Sequence, residues 1–439
     1  MDQIEHFIVL MLENRSFDHI FGYLDHPDPD FDGVGRLPNP PTTMDARYAI
    51  YPGPDHSHKG VMHQVLGRVD YEGHPHDNYN PTMSGFAANY ELHAKDRGQK
   101  VMRCFNPRMV PVMSKLALEY AVCDRWFCSL PGETFPNRDF AHAGTSFGHA
   151  NIYSLFAGIP APKLKNPPTI FSMLDAAHVS WRVYHQGLAH SLIYAQLFLK
   201  DDRRGSHVQL LEDIANSKLP AYSFVEPDYG ILGAGNSMHP SQACSREEFV
   251  NGEAFIADIY RALRHNKKLF EKTALIITFD EHGGFYDHVP ARYLGMPDAD
   301  PKHIYKDGAY EFWFKMSGPR VPAIVISPWI DAGTVDHTVR DHSSIPETIR
   351  KRFLKNVGYP LNDRGEGTDL GNLFTRATPR TDLPDVEPLT HAEAKALEEE
   401  LAAAPDDSDL DPAIDIALQT ALHDVGSLLK SLGKKILGL

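Results

Sequence analysis

The chain opens with a short apolar run rich in β-branched residues, Ile4–Leu12, that ends in polar Glu13 and Asn14. Similar runs are Trp181–Tyr184, Tyr222–Val225, Ala274–Phe279 and Val321–Ser327. Short runs of this kind read as strands buried on both faces of a sheet. Helical patterning lies between them, as in Glu253–His265 ahead of the fourth run. Buried strands alternating with helices predict an α/β layered domain with a largely parallel central sheet flanked by helices. In such sheets, sites gather at the carboxyl ends of the strands.

Residues 25–100 differ. They are rich in Pro, Gly, Asp, His and Tyr and show little periodicity, which predicts long loops over the sheet. The character changes again after about residue 375, dividing the chain into a main domain, 1–375, and a helical C-terminal region, 376–439. THAEAKALEEELAAA is a helix former, Asp406–Asp411 an acidic break, and Ile414, Leu418, Leu422, Val425, Leu429, Leu432 and Ile436 mark one apolar helix face. That last helix is expected to dock on the main domain or a second subunit, or to lie on a membrane surface.

Composition narrows the function classes. The chain has 439 residues, 42% hydrophobic and 23% charged, which excludes wholesale disorder. Its net charge of −15 argues against a nucleic-acid-binding module. Cys104, Cys123, Cys128 and Cys244 form no CxxC pair, which argues against zinc and for buried free thiols. No apolar run is long enough to span a bilayer, and the N-terminus lacks the basic start and cleavage site of a signal peptide. The expectation is a cytoplasmic protein, export by another route, or a leader already removed. The 24 histidines are the compositional oddity, and they point to proton or metal chemistry.

Several clusters carry candidate chemistry. Glu13 and Asn14 offer a carboxylate and an amide oxygen at a strand end, a set that suits a hard cation, although Asp18 further on also reads as a plain helix cap. Asp280 and Glu281 follow the strand Ala274–Phe279, ahead of His282, Gly283 and Gly284. Two adjacent acids there repel unless a cation or shared proton relieves them. An all-oxygen set favours Ca²⁺, Mg²⁺ or Mn²⁺ over Zn²⁺. Thr134 stands between a Gly turn and a Pro, where a hydroxyl is exposed, and Arg138 follows it. Taken alone, that segment reads first as a structural turn. His56, His58, His63, His185, His239, His337 and His342 lie in or beside loops. Asp28, Asp30, Asp32 and Gly33 copy the start of an EF-hand, but Asn39 stands at the twelfth position and Pro29 interrupts the ligands, so calcium-loop binding is rejected.

The blocks ENRSFDH (13–19), TFPNR (134–138), EPDY (226–229), HP (239–240), DEHGGFYDHVP (280–290) and GPRVPAIVISPWI (318–330) stand in order. Together they resemble the phosphoesterase family of bacterial phospholipases C, plant non-specific phospholipases C and related acid phosphatases. RDHSSIPETI (340–349) is most similar to the plant enzymes and their bacterial relatives. The resemblance spans roughly residues 1–360 and implies an alkaline-phosphatase-like fold. It implies one divalent cation held by Glu13, Asn14, Asp280 and Glu281, and Thr134 as the nucleophile. It maps the active-site histidines onto His56, within GPDHS where the plant pattern reads DPGHS, and onto His239. His185, His282 and Arg138 are reserves for phosphate contact or support.

The reaction so implied is hydrolysis of glycerophospholipids, such as phosphatidylcholine, to diacylglycerol and a phosphorylated head group through a phosphothreonine. The chemistry of the residues agrees: a cation lowers the pKa of the threonine hydroxyl, and His239 protonates the leaving oxygen and then helps water attack. The alternatives are a soluble acid phosphatase acting on monoesters and an inactive membrane-associated binding protein.

Overall fold

The computed structural model describes residues 1–68, 80–151, 168–187, 189–194, 200–230, 234–240, 245–294, 304–308, 310–355 and 369–401. Among them, the strands in chain order are β1 (His6–Leu12), β2 (Ala121–Cys123), β3 (Trp181–Tyr184), β4 (Arg204–Gly205), β5 (Tyr222–Val225), β6 (Thr273–Phe279), β7 (Tyr305–Asp307), β8 (Tyr310–Phe312), β9 (Ala323–Ile326) and β10 (Thr334–Asp336). Eight form one sheet in the order β10-β2-β9-β6-β1-β5-β3-β4, and β7 and β8 pair separately. Five of the seven pairings in the large sheet are parallel, and β9 is antiparallel to both its neighbours. The expected α/β layered architecture is therefore present, and the run expected at Val321–Ser327 supplies the one reversed strand.

β1 sits between β5 and β6, and from Phe7 to Leu12 every residue is buried. That explains its unbroken apolar run. A central parallel strand has helices over both faces and no polar side. Burying each such aliphatic or aromatic side chain contributes about 1.5–3 kcal/mol. β6 is buried throughout its seven residues as well. The helix expected at Glu253–His265 runs from Ser245 to His265, with Phe249, Ile256, Ile259, Tyr260 and Leu263 on its buried side.

Residues 25–100 are not simply loops. His58–Leu66 is an α-helix that starts at Ser57, whose hydroxyl accepts from Gly60 N, and stops at Gly67 in the left-handed conformation. Phe86–Glu91 is a second helix. Periodicity failed here because the first helix is buried on nearly every side. Its histidines are satisfied by hydrogen bonds instead of facing water: His58 Nδ1 contacts Pro131 O at 2.5 Å and Nε2 contacts Tyr310 OH at 2.7 Å.

The helix expected after residue 390 covers His391–Leu401. It packs through Ala394 and Leu397 into the main core, and Glu398 accepts from Tyr48 N at 3.0 Å and Arg246 Nε at 2.6 Å. The apolar helix face expected from Ile414 to Ile436 lies outside the described residues. Among the described residues no helix is long and apolar enough to cross a membrane.

Candidate active site

β1 and β6 run parallel with Leu12 opposite Phe279, so Glu13 and Asp280 leave the sheet side by side. Asn14 then turns through a left-handed conformation, φ 59°. Its N–H donates to Asp280 Oδ1 at 3.1 Å, and the Glu281 N–H donates to the same oxygen at 2.7 Å. Arg138 Nε donates to Asp280 Oδ2 at 3.0 Å, with both groups fully buried. The loop beyond fits only glycine at Gly283: φ is 67°, and a Cβ there would lie 2.2 Å from Asn14 O.

This edge concentrates negative charge away from water. Burial, with Asp280 adding repulsion, holds the Glu13 carboxyl well above the usual carboxylate range. Burial also pushes Asp280 up to about 6, against the pull of Arg138. Glu281 Oε2 accepts from Gly283 N at 2.7 Å, while its Oε1 is buried with no hydrogen-bond partner. Asn14 Nδ2 is likewise buried and unpartnered. The unpartnered Glu281 oxygen among three clustered acids fits a bound hard cation, because a cation would relieve both the repulsion and the unused oxygen.

Thr134 is the first residue of the helix Thr134–Ala143 and is half-buried. Its Oγ1 donates to Asn14 Oδ1 at 3.5 Å. The presenting loop is fixed by Asn137. Its Nδ2 donates to the carbonyls of Leu130, Gly132 and Glu133, and its Oδ1 accepts from Leu130 N. Pro136 has no N–H, so the first-turn donors are those of Thr134 and Phe135, at the positive end of the helix dipole. Arg138, one turn on, also donates through Nη2 to the carbonyls of Met11 and Leu12, which ties this helix to the end of β1.

His56 and His239 face each other with ring centroids 6.4 Å apart. Burial works against the charged form of His56, but Glu281 and Glu133 outweigh it and raise its pKa. His239 is pushed down to about 3 by burial, then by His56 and Arg15, so it is a neutral imidazole. Its segment is joined to β1: His239 N donates to Ser237 Oγ, and Ser237 O accepts from Glu13 N at 2.9 Å. The structure thus brings Glu13, Asn14, Thr134, Arg138, Asp280, Glu281, His56 and His239 to one edge. His282 is fully buried behind it, with Nε2 on Gln64 Oε1 at 2.8 Å. His185 follows β3, its Nδ1 contacts Gly187 O in its own loop, and among the described residues no hydrogen bond joins it to the other candidates.

Some supports escaped the sequence. Asn137 lay inside TFPNR, but nothing in the motif announced that it pins the loop. His342 Nε2 donates to Asp280 O at 2.6 Å. Glu226, of the EPDY block, accepts from His190 N, Ser191 N and Tyr229 OH, and Tyr229 lies under the Arg138 guanidinium at 5.4 Å.

Among the described residues, a different trio brings three potential ligand atoms within 4.8 Å of one another: Asp18, Asp287 and His288. Its positions are already taken by the protein's own cations. Arg320 donates to Asp18 Oδ1 at 3.1 Å and Asp287 Oδ1 at 2.8 Å. His288 bridges Asp18 Oδ2 at 2.7 Å and Asp32 Oδ1 at 3.0 Å. Burial opposes the charged ring, but Asp18 and Asp32 push His288 up to about 9. A raised folded-state pKa stabilises the protein fully below the ordinary value of 6.5, and the contribution is lost as pH rises through about 9. His288→Gln is therefore expected to lower the melting midpoint clearly at about pH 6 and much less at about pH 10. An equal loss at both values would rule out the charged bridge.

A family model described as the phosphoesterase family matches residues 4–355. Non-specific phospholipase C3 of Arabidopsis thaliana is 35% identical over 410 residues, covering 87% of this chain and 75% of that protein. Phospholipase C B of Mycobacterium tuberculosis is 29% identical over 462 residues, covering 90% of this chain and 82% of that protein. A crystal structure of an alkaline phosphatase superfamily protein from Vibrio parahaemolyticus aligns with TM-score 0.37 and 10% identity over 92% of this chain and 89% of that one, too distant to bear on function.

Proposed function

The chain belongs to the phosphoesterase family, and from that membership we propose that it is a phospholipase C, cleaving glycerophospholipids to diacylglycerol and a phosphorylated head group. The carrying observation is Thr134 at a helix N-terminus, hydrogen-bonded to Asn14, on the sheet edge that holds three buried acids. A hydroxyl placed where helix dipole and an adjacent cation both favour its deprotonated form is suited to attack phosphorus.

Enzymes of this family are generally metal-dependent. In our reading Glu13, Asn14, Asp280 and Glu281 hold one divalent cation, and their all-oxygen donor set suits Ca²⁺, Mg²⁺ or Mn²⁺. Such a cation, when bound, supplies charge for the phosphoryl oxygens and lowers the pKa of the nearby hydroxyl. The chain's own groups do the rest. Thr134 Oγ1 gives up its proton and forms the new bond to phosphorus while the bond to the diacylglycerol oxygen breaks, leaving the phosphorylated head group esterified to Thr134. His56 contacts the phosphoryl group. The histidine pair passes the Thr134 proton to the leaving oxygen, and neutral His239 suits the base role on the water that then releases the phosphorylated head group from Thr134. Arg138 binds Asp280 through Nε and the Met11 and Leu12 carbonyls through Nη2, and so holds the acid set in place.

Two outcomes test this reading. Chelation is expected to lower turnover by about 10³-fold, equivalent to several kcal/mol of transition-state stabilisation, and add-back of Ca²⁺, Mg²⁺ or Mn²⁺ should restore it. Full activity after complete metal removal, checked by metal analysis, would exclude the cation. With metal supplied, the wild type should release diacylglycerol from phosphatidylcholine vesicles. Turnover of an aryl phosphate monoester with no release of diacylglycerol would replace phospholipase C by a soluble phosphatase.

A further inference from the structure

Arg15 follows Asn14 directly but takes no part in the acid set. It is fully buried, and among the described residues its guanidinium hydrogen-bonds only neutral groups. Nε donates to Met238 O at 3.0 Å and Nη2 to Tyr48 O at 2.8 Å. Nη1 donates to His19 Nε2 at 3.0 Å, and His19 Nδ1 in turn meets Arg103 O at 2.9 Å. Arginine has no acceptor, so that imidazole is neutral with its proton on Nδ1. The rings of Phe105, Phe249 and Phe285 lie 5.2 to 5.6 Å from the guanidinium carbon. A buried cation with no carboxylate bonded to it costs stability, so stability alone does not account for Arg15.

What Arg15 grips is an unusual turn. Met238 has φ 69°, a left-handed conformation that a long side chain keeps only when its surroundings hold it there. Arg15 fixes its carbonyl. Its side chain is seated on the helix Ser245–His265 at Gly252, where an added Cβ would lie 2.6 Å from Met238 Cγ. The flanking Ser237 Oγ accepts from His239 N at 3.2 Å and donates to Glu248. The residue after Met238 is His239, which faces His56. The other carbonyl on Arg15, that of Tyr48, belongs to the segment leading into His56. The two segments also bond each other, Ile50 N donating to Pro240 O at 3.0 Å.

We propose that Arg15 is a positioning residue for the histidine pair: its guanidinium fork ties the turn at Met238 to the segment ahead of His56 and so fixes His239 opposite His56. The proposal rests on the role given to His239 above. A planar fork with donors in fixed directions holds two carbonyls and an imidazole at once, which the point charge of a lysine does not. Burial, then His56, then Arg15 favour the neutral form of His239, so the same cation also suits the base role. Arg15 acts on turnover through His239 and not by touching the phosphoryl group.

A double-mutant cycle on the full chain, with divalent metal supplied, tests this. Arg15→Lys keeps the charge and loses the fork, and is expected to lower kcat on phosphatidylcholine vesicles about 10²-fold with KM within about threefold. His239→Ala alone should lower kcat by about 10²-fold or more. In the His239→Ala background Arg15→Lys should cost less than about threefold further, because no histidine is left for it to act through. Melting curves show whether each variant is folded. Arg15→Gln, which also removes the buried charge, takes the place of the lysine variant should that one not fold. Wild-type kcat in a folded Arg15 variant would overturn the proposal. So would an undiminished loss in the His239→Ala background, which would assign Arg15 to the fold or to the acid edge. Full activity of His239→Ala would instead remove the role given to His239, and the proposal with it. If the wild type turns over only an aryl phosphate monoester, the phospholipase reading falls, and the same cycle on that substrate still decides the role of Arg15.

Discussion

Thr134→Ala is expected to lower kcat for phosphatidylcholine hydrolysis by about 10⁴-fold or more while leaving the melting midpoint almost unmoved. The two halves of that result have separate causes. Activity should fall because, in the proposed mechanism, this side chain supplies the attacking oxygen. Stability is spared because Thr134 is half-buried and its bond to Asn14 is long, 3.5 Å, worth no more than about 1 kcal/mol. Thr134→Ser keeps the hydroxyl and should retain a large share of the rate. Steady-state kinetics on vesicles, with melting curves for each variant, checks both halves. A Thr134→Ala enzyme within tenfold of wild type would remove this residue from the chemistry.

Arg320→Met should destabilise the fold by about 3–5 kcal/mol, a large fraction of a domain's stability. Arg320 is fully buried and spans Asp18 and Asp287, and it also donates to the carbonyls of Asp32 and Asp124. Removing it leaves two buried carboxylates facing each other with only His288 as counter-charge. Burial already pushes the Asp287 carboxyl above the usual range, with Arg320 as the main group holding it down. Adding Asp287→Asn to Arg320→Met removes one of those stranded charges and should recover part of the loss. Denaturant melts of the three proteins decide it. If the single variant unfolds like wild type, Arg320 is not what keeps these acids ionised and buried.

Much of the frame was legible because the central strands are apolar on both faces. Ile4–Leu12, Trp181–Tyr184, Tyr222–Val225 and Ala274–Phe279 all stand as strands within two residues of their expected ends. β2 and β10, three residues each, are too short to stand out from their surroundings. The antiparallel direction of β9 had no local signal, since direction is set by the path of the chain between strands. The buried helix His58–Leu66 was hidden for a different reason: its histidines and glycine are held by hydrogen bonds and close packing that leave no apolar stripe.

The candidate site divides in the same way. Acids at the ends of β1 and β6 could be found, because repulsion between Asp280 and Glu281 is visible in the sequence. Their supports could not. Asn137, His342 and Ser237 act through backbone groups, and the order of residues does not say which carbonyl a side chain will reach. Asp18 read as a helix cap, yet its carboxylate accepts from Arg320 and His288, 302 and 270 residues away. In the structure Ser16 caps that helix instead, accepting from His19 N.

The most direct test of the account is the site of covalent phosphorylation during turnover. Wild-type enzyme mixed with phosphatidylcholine vesicles and quenched in acid should yield, by peptide mass spectrometry, one added phosphocholine group on Thr134. Steady turnover with Thr134 unmodified at every quench time, and the phosphocholine group on another residue, would contradict it.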